Sequence, residues 1–129
     1  MNRSPQIAVV SMSGVFPGAV GIDAFWQNIV GRVDAAVDVS TGRLSEVFPW
    51  IYDPLKGVDA AYGKRACLVD GFRFDPDQFP GYGEAVADWD ELFKWLLYSV
   101  RDALAQCRTD ALDKARVGAI LAAIALPTR

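Results

Sequence analysis

The chain has 129 residues and a net charge of −3; 52% of its residues are hydrophobic, 12% aromatic and 22% charged. Such a composition is typical of a single globular domain and excludes a disordered chain. An acidic chain lacks the clustered Lys and Arg that nucleic-acid binding requires. No apolar run reaches the roughly 18 residues that span a bilayer, and residues 1–6 contain no secretory h-region. We therefore expect a cytoplasmic protein that contacts neither nucleic acid nor membrane.

A strand, a turn and a helix are predicted at the start of the chain. Four apolar residues, Ile7–Val10, precede a Ser-Met-Ser-Gly turn, a pattern typical of a strand buried on both faces. Asp23 is expected to cap the following helix, and Gly31 to end it in the left-handed conformation. The apolar pairs of this helix are formed by Phe25, Trp26, Ile29 and Val30.

The amino-acid sequence of this unit resembles that of a known protein family. IAVVSMSGVFPGA followed by FWQNIVGRVDA is similar to the opening of the ketosynthase (beta-ketoacyl synthase) domain of fatty-acid and polyketide synthases. The shared features are an I-A-x-V strand, an S-G-x-F-P-G turn and an F-W-x-N-x-x-x-G helix. Ser11 stands where that family usually has Gly. Ordinary turn chemistry is preferred to phosphate binding at Ser13-Gly14 and Pro17-Gly18, because no G-x-G-x-x-G or P-loop spacing follows.

The segment 34–83 has no sustained period and is interrupted by many Gly and Pro residues. A loop of this length is usually functional, or it lies against another surface. In ketosynthases the corresponding region winds over the fold, and part of it lies near the dimer partner. The resemblance continues here through Arg43, Tyr52-Asp53-Pro54, Gly63-Lys64, Gly71-Phe72 and Phe74-Asp75.

A second helix is predicted to begin near Asp88 or Asp90. Its apolar stripe is wide enough to indicate burial on more than one side. The wording A-D-W-D-E-L-F-K-W-L-L departs from the D-P-Q-Q-R signature of ordinary polyketide ketosynthases. It is more similar to the ketosynthases of polyunsaturated-fatty-acid, heterocyst-glycolipid and enediyne synthases. The stripe comprises Leu92, Phe93, Trp95, Leu96, Leu97, Val100, Ala103 and Leu104.

The run RVGAILAAIAL, residues 116–126, predicts a second buried strand, although its high Ala content is also compatible with a helix. It resembles V-G-x-I-L-G-N-x-x-x-P-T, with Ala122-Ala123 in place of Gly-Asn. Val117–Ile124 and Ile7–Val10 are expected to be neighbouring or near-neighbouring strands of a mostly parallel sheet. The resemblance implies an α/β fold, a partial thiolase-like fold with a long irregular connection. Residues 1–129 are then one incomplete N-terminal ketosynthase domain.

The catalytic residues of that family are missing from the sequence. A ketosynthase uses one Cys and two His, and this chain contains no His. Neither Cys67 nor Cys107 lies in a T-A-C-S-S-like turn, and both are expected to be free thiols. Lys64 and Arg65 could lower the pKa of a thiol at Cys67. Without a base, an orienting partner or an oxyanion hole, we assign no catalytic residue.

Other ionisable and aromatic groups also have simple structural interpretations. A solvated loop is preferred to a metal site at Asp70, Asp75 and Asp77, because calcium-loop and zinc spacings are absent. The acidic residues Asp88, Asp90 and Glu91 suit a helix N-terminus better than acid-base catalysis. Core packing is preferred to a ligand platform for Trp26 and Trp95, within a set that also includes Trp50 and Trp89. We therefore predict no catalytic, cofactor or metal site.

Two functions remain open for the chain. It is either the N-terminal segment of a fatty-acid or polyketide ketosynthase, inert as it stands, or a non-catalytic ketosynthase-like module that pairs with a catalytic subunit. The resemblance implies acyl carrier protein and the remainder of a synthase as partners. An open sheet edge at Ile7–Val10 and a second apolar helix face predict a homodimer or hetero-complex. DNA sequence past the Arg129 codon would separate the two functions.

Overall fold

The computed structural model describes residues 7–110 and 112–122. They fall into two compact units. The first, which we call the middle unit, is Phe16–Phe72. The second, the terminal unit, comprises the described parts of Met1–Val15 and Arg73–Arg129. The described residues contain both strands and helices, which is consistent with the predicted α/β class. The expectation of a single incomplete domain stays a prediction.

The middle unit is built from short elements. Strand β1 pairs with β2, and β3 pairs with β4. The β3–β4 ladder is antiparallel, with Ala36 opposite Cys67 and Asp38 opposite Arg65. In chain order the elements are β1 (Val15–Phe16), β2 (Ala19–Val20), α1 (Ile22–Val30), β3 (Ala36–Asp38), α2 (Phe48–Ile51) and β4 (Arg65–Cys67).

The start of α1 differs from the prediction. Gly21 is the residue that precedes the first turn, with φ 86°, and it offers no side-chain cap. Asp23 lies inside the first turn, where its charge suits the positive end of the helix dipole but caps no N–H. The helix begins earlier than expected because Ile22 already takes helical geometry after the glycine.

The end of α1 is a Schellman motif with an unusual residue. The Arg32 N–H donates to the Ile29 carbonyl at 3.1 Å, and the Val33 N–H to the Asn28 carbonyl at 2.9 Å. Arg32 has φ 53° and occupies the left-handed position, whereas Gly31 has φ −76°. The prediction that Gly31 is the left-handed terminator is therefore wrong by one residue. Gly31 still donates a hydrogen bond within the helix, which moves the reversal to Arg32.

The segment 34–83 is more ordered than its sequence predicts. It contains β3, α2 and β4, together with short 3-10 turns. Within it, a loop is closed where the Ala61 N–H donates to Ile51 at 2.7 Å and the Asp53 N–H donates to Ala61 at 2.9 Å. The Asp53 carboxylate holds the loop from inside by accepting the N–H groups of Leu55 and Gly57. Much of this connection is thus defined by local hydrogen bonds.

Helix α3 (Glu91–Ala105) is the main element of the terminal unit. Its N-cap is Asp90, whose Oδ1 accepts the Leu92 N–H at 2.9 Å, so the predicted helix and one of its two predicted starts are confirmed. Its expected burial on two sides is wrong, since none of its residues is buried. Among the described residues, no helix is both long enough and apolar enough to cross a bilayer. The exposed apolar residues of α3 are Phe93, Leu96, Val100 and Leu104.

The two predicted buried strands are absent from the described residues. Ile7–Val10 forms no strand, and the side chain of Ile7 is 93% exposed. Residues 117–122 are neither strand nor helix, while residues 123 and 124 of that predicted strand lie outside the described residues. A central strand of a parallel sheet needs hydrogen-bonding strands beside it and cover on both faces. The described residues supply neither, so the predicted parallel pair is wrong for this part of the chain.

Each unit has only a small core among its described residues. The buried apolar residues of the middle unit are Ala19, Val39 and Phe48, and Phe48 stacks on Tyr52 at 4.8 Å. In the terminal unit Phe79 and Val86 are buried, and Phe79 stacks on Phe74 at 4.8 Å. Many large apolar side chains that a complete core would bury therefore remain at the surface.

Candidate functional site

Three residues of the N-terminal segment, 11–13, are attached to the C-terminal half of α3. The Ser13 hydroxyl donates to Asp102 Oδ2 at 2.6 Å, and this contact is partly buried. Gln106 Nε2 donates to the Met12 carbonyl at 3.3 Å and to the same Asp102 oxygen at 3.2 Å. The Cys107 thiol donates to Ser11 Oγ at 3.0 Å. These side-chain hydrogen bonds hold residues 11–13, which are not part of a strand, against the C-terminal end of α3.

An open groove of about 620 Å³ lies beside this contact. Its apolar members are exposed; Leu104, for example, is 50% exposed. A concave apolar surface of this size falls in the range of small-molecule and peptide sites. We call it the terminal groove, and it is lined by Val10, Ser11, Leu104, Gln106, Cys107, Arg108 and Leu112.

Cys107 has neighbours that bind its thiol but do not activate it. Its sulfur lies 3.0 Å from Ser11 Oγ and 3.3 Å from the Ala103 carbonyl oxygen. Both partners can accept the S–H proton, and neither is a base that would remove it. Arg108, the next residue, pairs with Asp110 at 4.0 Å on the surface. The arrangement is that of a half-buried structural thiol.

Cys67 lies on β4, where it is exposed. The two cations that precede it in sequence, Lys64 and Arg65, have other partners. Arg65 donates to Asp34 Oδ2 at 2.6 Å and to the Ala36 carbonyl at 2.9 Å, while the Lys64 ammonium lies over the Tyr52 ring at 5.2 Å. Both cysteines are free thiols, as predicted.

Four of the acidic residues singled out in the sequence, Asp70, Asp75, Asp90 and Glu91, have structural partners. Asp70 pairs with Arg43 at 3.6 Å, and Glu91 with Lys94 at 2.8 Å. Asp75 caps a short 3-10 turn by accepting the N–H of Asp77 at 3.1 Å. Within residues 7–110 and 112–122, no three His, Cys, Asp or Glu side chains come together where they could hold a metal ion.

The charge pair that joins β3 and β4 perturbs the titration of its members. A hydrogen bond from Arg65 lowers the pKa of Asp34 below its ordinary value of 3.8, and the same contact raises the pKa of Arg65. The Ser40 hydroxyl and N–H similarly lower the pKa of Asp38. All three groups are at the surface and stabilise a turn and a ladder, so these shifts do not indicate catalysis.

The four tryptophans are not a core set. Trp26 is 58% exposed and Trp50 is 88% exposed, so the prediction of core packing is wrong for Trp26. Trp95 fits it better, because its indole nitrogen is buried, with no hydrogen-bond partner among the described residues. Trp89 contacts Tyr82 and Phe93 edge to face. The helical period placed Trp26 on an apolar stripe correctly; Phe16 stacks on Phe25 of that stripe at 4.1 Å, while Trp26 itself stays largely exposed.

The geometry provides surfaces and capped turns rather than reacting groups, and comparison with known proteins identifies the family. The model of the beta-ketoacyl synthase N-terminal domain matches residues 4–126. The chain belongs to this family. Family membership confirms the resemblance found at residues 7–19 and 25–35 and in the regions that follow. The chain is an N-terminal ketosynthase segment of the kind found in polyunsaturated-fatty-acid and polyketide synthases.

The similar proteins are large synthases. One chain of the polyunsaturated fatty acid synthase of Thraustochytrium sp. is 28% identical over 119 residues, covering 90% of this ketosynthase segment and 4% of that protein. One chain of the phenolphthiocerol/phthiocerol polyketide synthase of Mycobacterium tuberculosis is 39% identical over 74 residues, 57% of this segment and 5% of that protein. Polyketide synthase PksL of Bacillus subtilis is 28% identical over 79 residues, 61% of this segment and 2% of that protein. No solved structure matches.

Sequence reasoning missed the contact between segment 11–13 and the end of α3. Ser11 and Cys107 are 96 positions apart, so no local period links them. One signal was present, because Ser11 replaces the glycine usual in ketosynthases. A glycine there could not accept the proton of the Cys107 thiol.

Proposed function

We propose that this chain is the N-terminal segment of a ketosynthase that extends acyl chains in fatty-acid or polyketide biosynthesis. The match of residues 4–126 to the ketosynthase N-terminal domain carries this proposal. In the complete enzyme an acyl group passes from a thioester to a cysteine thiolate. A malonyl group on acyl carrier protein then loses CO₂, and the resulting carbanion attacks the acyl carbonyl and expels the cysteine thiolate. The complete domain would have the thiolase-like fold and act in the cytoplasm.

The 129 residues do not catalyse this reaction by themselves. The family needs two His, and the sequence contains none. The Cys107 thiol donates to Ser11 and Ala103, and Cys67 is exposed on β4. What the segment contributes is therefore scaffold and surface, with the reacting groups supplied by other parts of the enzyme.

The partners of the segment are the remainder of the ketosynthase, acyl carrier protein and a further copy or a different synthase chain, forming a homodimer or a hetero-complex. Exposed apolar residues support this assignment, because Ile7, Val9 and Val10 lie at the surface beside the terminal groove. The adjoining helix α3 adds further exposed apolar residues. Surfaces of this kind usually mark interaction sites.

A non-catalytic module that pairs with a catalytic subunit would use the same surfaces. Its sequence support was the departure from the family at Ser11 and Ala122-Ala123. The Ser11 contact with Cys107 weakens that support, because the serine has a definite hydrogen bond rather than a lost function. We therefore place the enzyme segment first.

Acyl transfer tests the inert assignment. We expect no label on the chain after incubation with radiolabelled acyl-CoA and denaturing electrophoresis, because the sequence contains no His to act as the base. Cys67→Ala and Cys107→Ala are the matched controls for nonspecific acylation. Retained label that disappears in one of these variants would overturn the inert assignment. The DNA after the Arg129 codon tests the parent enzyme: a T-A-C-S-S-like motif and two His motifs in frame support it, and an unrelated domain contradicts it.

A further inference from the structure

Asp70 and Gly71 form an Asp-Gly sequence in the irregular segment that follows β4. It is the only Asp-Gly or Asn-Gly sequence in the 129 residues. Such a sequence can rearrange without an enzyme, because the backbone nitrogen after the acid can attack the side-chain carboxyl and close a succinimide ring. Glycine favours this attack, since it has no Cβ to obstruct the ring and its backbone turns freely. The site plays no part in the proposed condensation.

The structure leaves both reacting groups accessible. The Asp70 side chain is 59% exposed, and Gly71 is exposed as well. A Cβ added at Gly71 would meet no atom within 4 Å, so the space around this residue is open. Within the described residues, the Gly71 N–H donates to no backbone carbonyl, and residues 68–72 belong to no helix or strand. No backbone hydrogen bond of Gly71 therefore has to break before its nitrogen approaches the carboxyl.

Other aspartates in irregular segments are less suited to this reaction. Asp53 and Asp75 precede proline, whose nitrogen carries no hydrogen and cannot serve as the nucleophile. Asp59 is exposed and lies in a turn, which makes it the best comparison with Asp70. The residue after it, Ala60, has a Cβ, and its N–H donates to the Gly57 carbonyl at 3.3 Å.

One contact restrains the reaction at Asp70. Arg43 Nη1 lies 3.6 Å from Asp70 Oδ1, and both side chains are more than half exposed. The succinimide carries no charge, so ring closure abolishes this ion pair. The pair therefore stabilises the starting aspartate and not the ring. Exposed ion pairs contribute little, so the contact slows the reaction by a small factor and does not block it.

We propose that Asp70-Gly71 is a site of spontaneous backbone isomerisation in the folded chain, and that the ion pair with Arg43 slows the reaction. The Gly71 nitrogen bonds to Cγ of the neutral Asp70 carboxyl, the Cγ–OH bond breaks, and the hydroxyl leaves with the nitrogen's proton as water. Water then adds to one of the two succinimide carbonyls. Opening at Cγ restores aspartate, whereas opening at the backbone carbonyl of Asp70 gives isoaspartate. No group is oxidised or reduced, and the backbone gains one methylene.

Peptide mapping of the full 129-residue chain tests the proposal. After incubation at neutral pH, trypsin releases residues 66–73, which contain Asp70, and residues 57–64, which contain Asp59. Isoaspartate has the mass of aspartate but a different retention on reversed-phase chromatography, and isoaspartyl methyltransferase labels it. We expect a second peak of unchanged mass to grow for residues 66–73 and not for residues 57–64. The absence of that peak, or growth at least as large for residues 57–64, would overturn the proposal.

Variants test the two residues named. Asp70→Glu keeps a carboxylate but lengthens the side chain, and it should abolish the second peak; a peak that persists would place the modification elsewhere and overturn the site. Arg43→Gln should raise the rate at Asp70 roughly 1.5- to fivefold, the range of an exposed ion pair, and leave residues 57–64 unchanged. In urea, where the pair is lost, the native and Arg43→Gln chains should react at the same rate. Equal rates in the folded chains would show that the restraint by Arg43 is wrong, and circular dichroism verifies that both variants are folded.

Discussion

The contact between Ser13 and Asp102 gives a direct test of how the N-terminal segment is held. Ser13→Ala removes the donor of the 2.6 Å hydrogen bond, Asp102→Ala removes its acceptor, and the double variant completes a thermodynamic cycle. A hydrogen bond to a charged group contributes about 1.5–3 kcal/mol when well buried. This one is partly buried, so we expect a coupling free energy of about 1–1.5 kcal/mol.

Asp102→Ala alone should cost more than Ser13→Ala alone. The Asp102 carboxylate also accepts Gln106 Nε2 at 3.2 Å, and Gln106 in turn holds the Met12 carbonyl. The cycle cancels this difference, because Asp102→Ala loses the Gln106 hydrogen bond whether residue 13 is Ser or Ala. The expected order of stability is therefore native, Ser13→Ala and then Asp102→Ala, with the double variant close to Asp102→Ala because Ser13 has already lost its acceptor there.

Urea unfolding followed by tryptophan fluorescence provides the measurement. Trp26 and Trp50 belong to the middle unit, so their replacement by Phe leaves Trp89 and Trp95 to report the terminal unit alone. The matched control is the exposed pair Arg108 and Asp110 of the same unit, 4.0 Å apart, for which we expect a coupling below about 0.5 kcal/mol. A Ser13–Asp102 coupling no larger than that control would refute the attachment of the segment to α3.

Three further predictions concern the middle unit. Because the pKa of Asp34 is lowered in the folded state, it contributes stability that is present above its ordinary pKa of 3.8 and is lost as the pH falls through the folded-state pKa. Asp34→Asn should therefore reduce the decrease of the urea unfolding midpoint at acidic pH. An unchanged dependence of the midpoint on pH would contradict the contact with Arg65. Arg32→Gly should stabilise α1 by roughly 0.5–1 kcal/mol, because glycine avoids the left-handed penalty at some entropic cost; a lower Tm would contradict the Schellman assignment. Gly57→Ala should lower the free energy of unfolding by about 1–3 kcal/mol, because its new Cβ would overlap the Asp53 carboxylate. In an Asp53→Ala background the same substitution should cost much less, and equal costs in both backgrounds would be inconsistent with that overlap.

Local sequence signals predicted α1 and α3 well, whereas the short helix α2 was not predicted. The period of apolar residues and the Asp90 cap define α3 within a single stretch of chain, so neither depends on distant residues. The same holds for α1, whose ends were misplaced by a residue or two around Gly21 and Arg32. Helices are readable in this way because their hydrogen bonds join residues close in sequence.

Strands and the contact at segment 11–13 were not predictable from local signals. Strands β3 and β4 have three residues each and pair across the intervening residues 39–64. Three residues are too few for an alternating pattern to be recognised. The Cys107 bond to Ser11 joins opposite ends of the chain, and only the departure from a family motif marked one of its partners.

The wrong strand prediction at Ile7–Val10 carries information of its own. The apolar run predicts that its side chains are buried, but the described residues leave them exposed; Ile7, for example, is 93% exposed. Covering Ile7, Val9 and Val10 would contribute about 1.5–3 kcal/mol for each side chain, or about 5–9 kcal/mol before the costs of association. Covering the residues beside the terminal groove would therefore stabilise a complex substantially. This gain is the physical reason to expect that the segment functions inside a larger assembly, with the cover for its first apolar run supplied by another part of the ketosynthase.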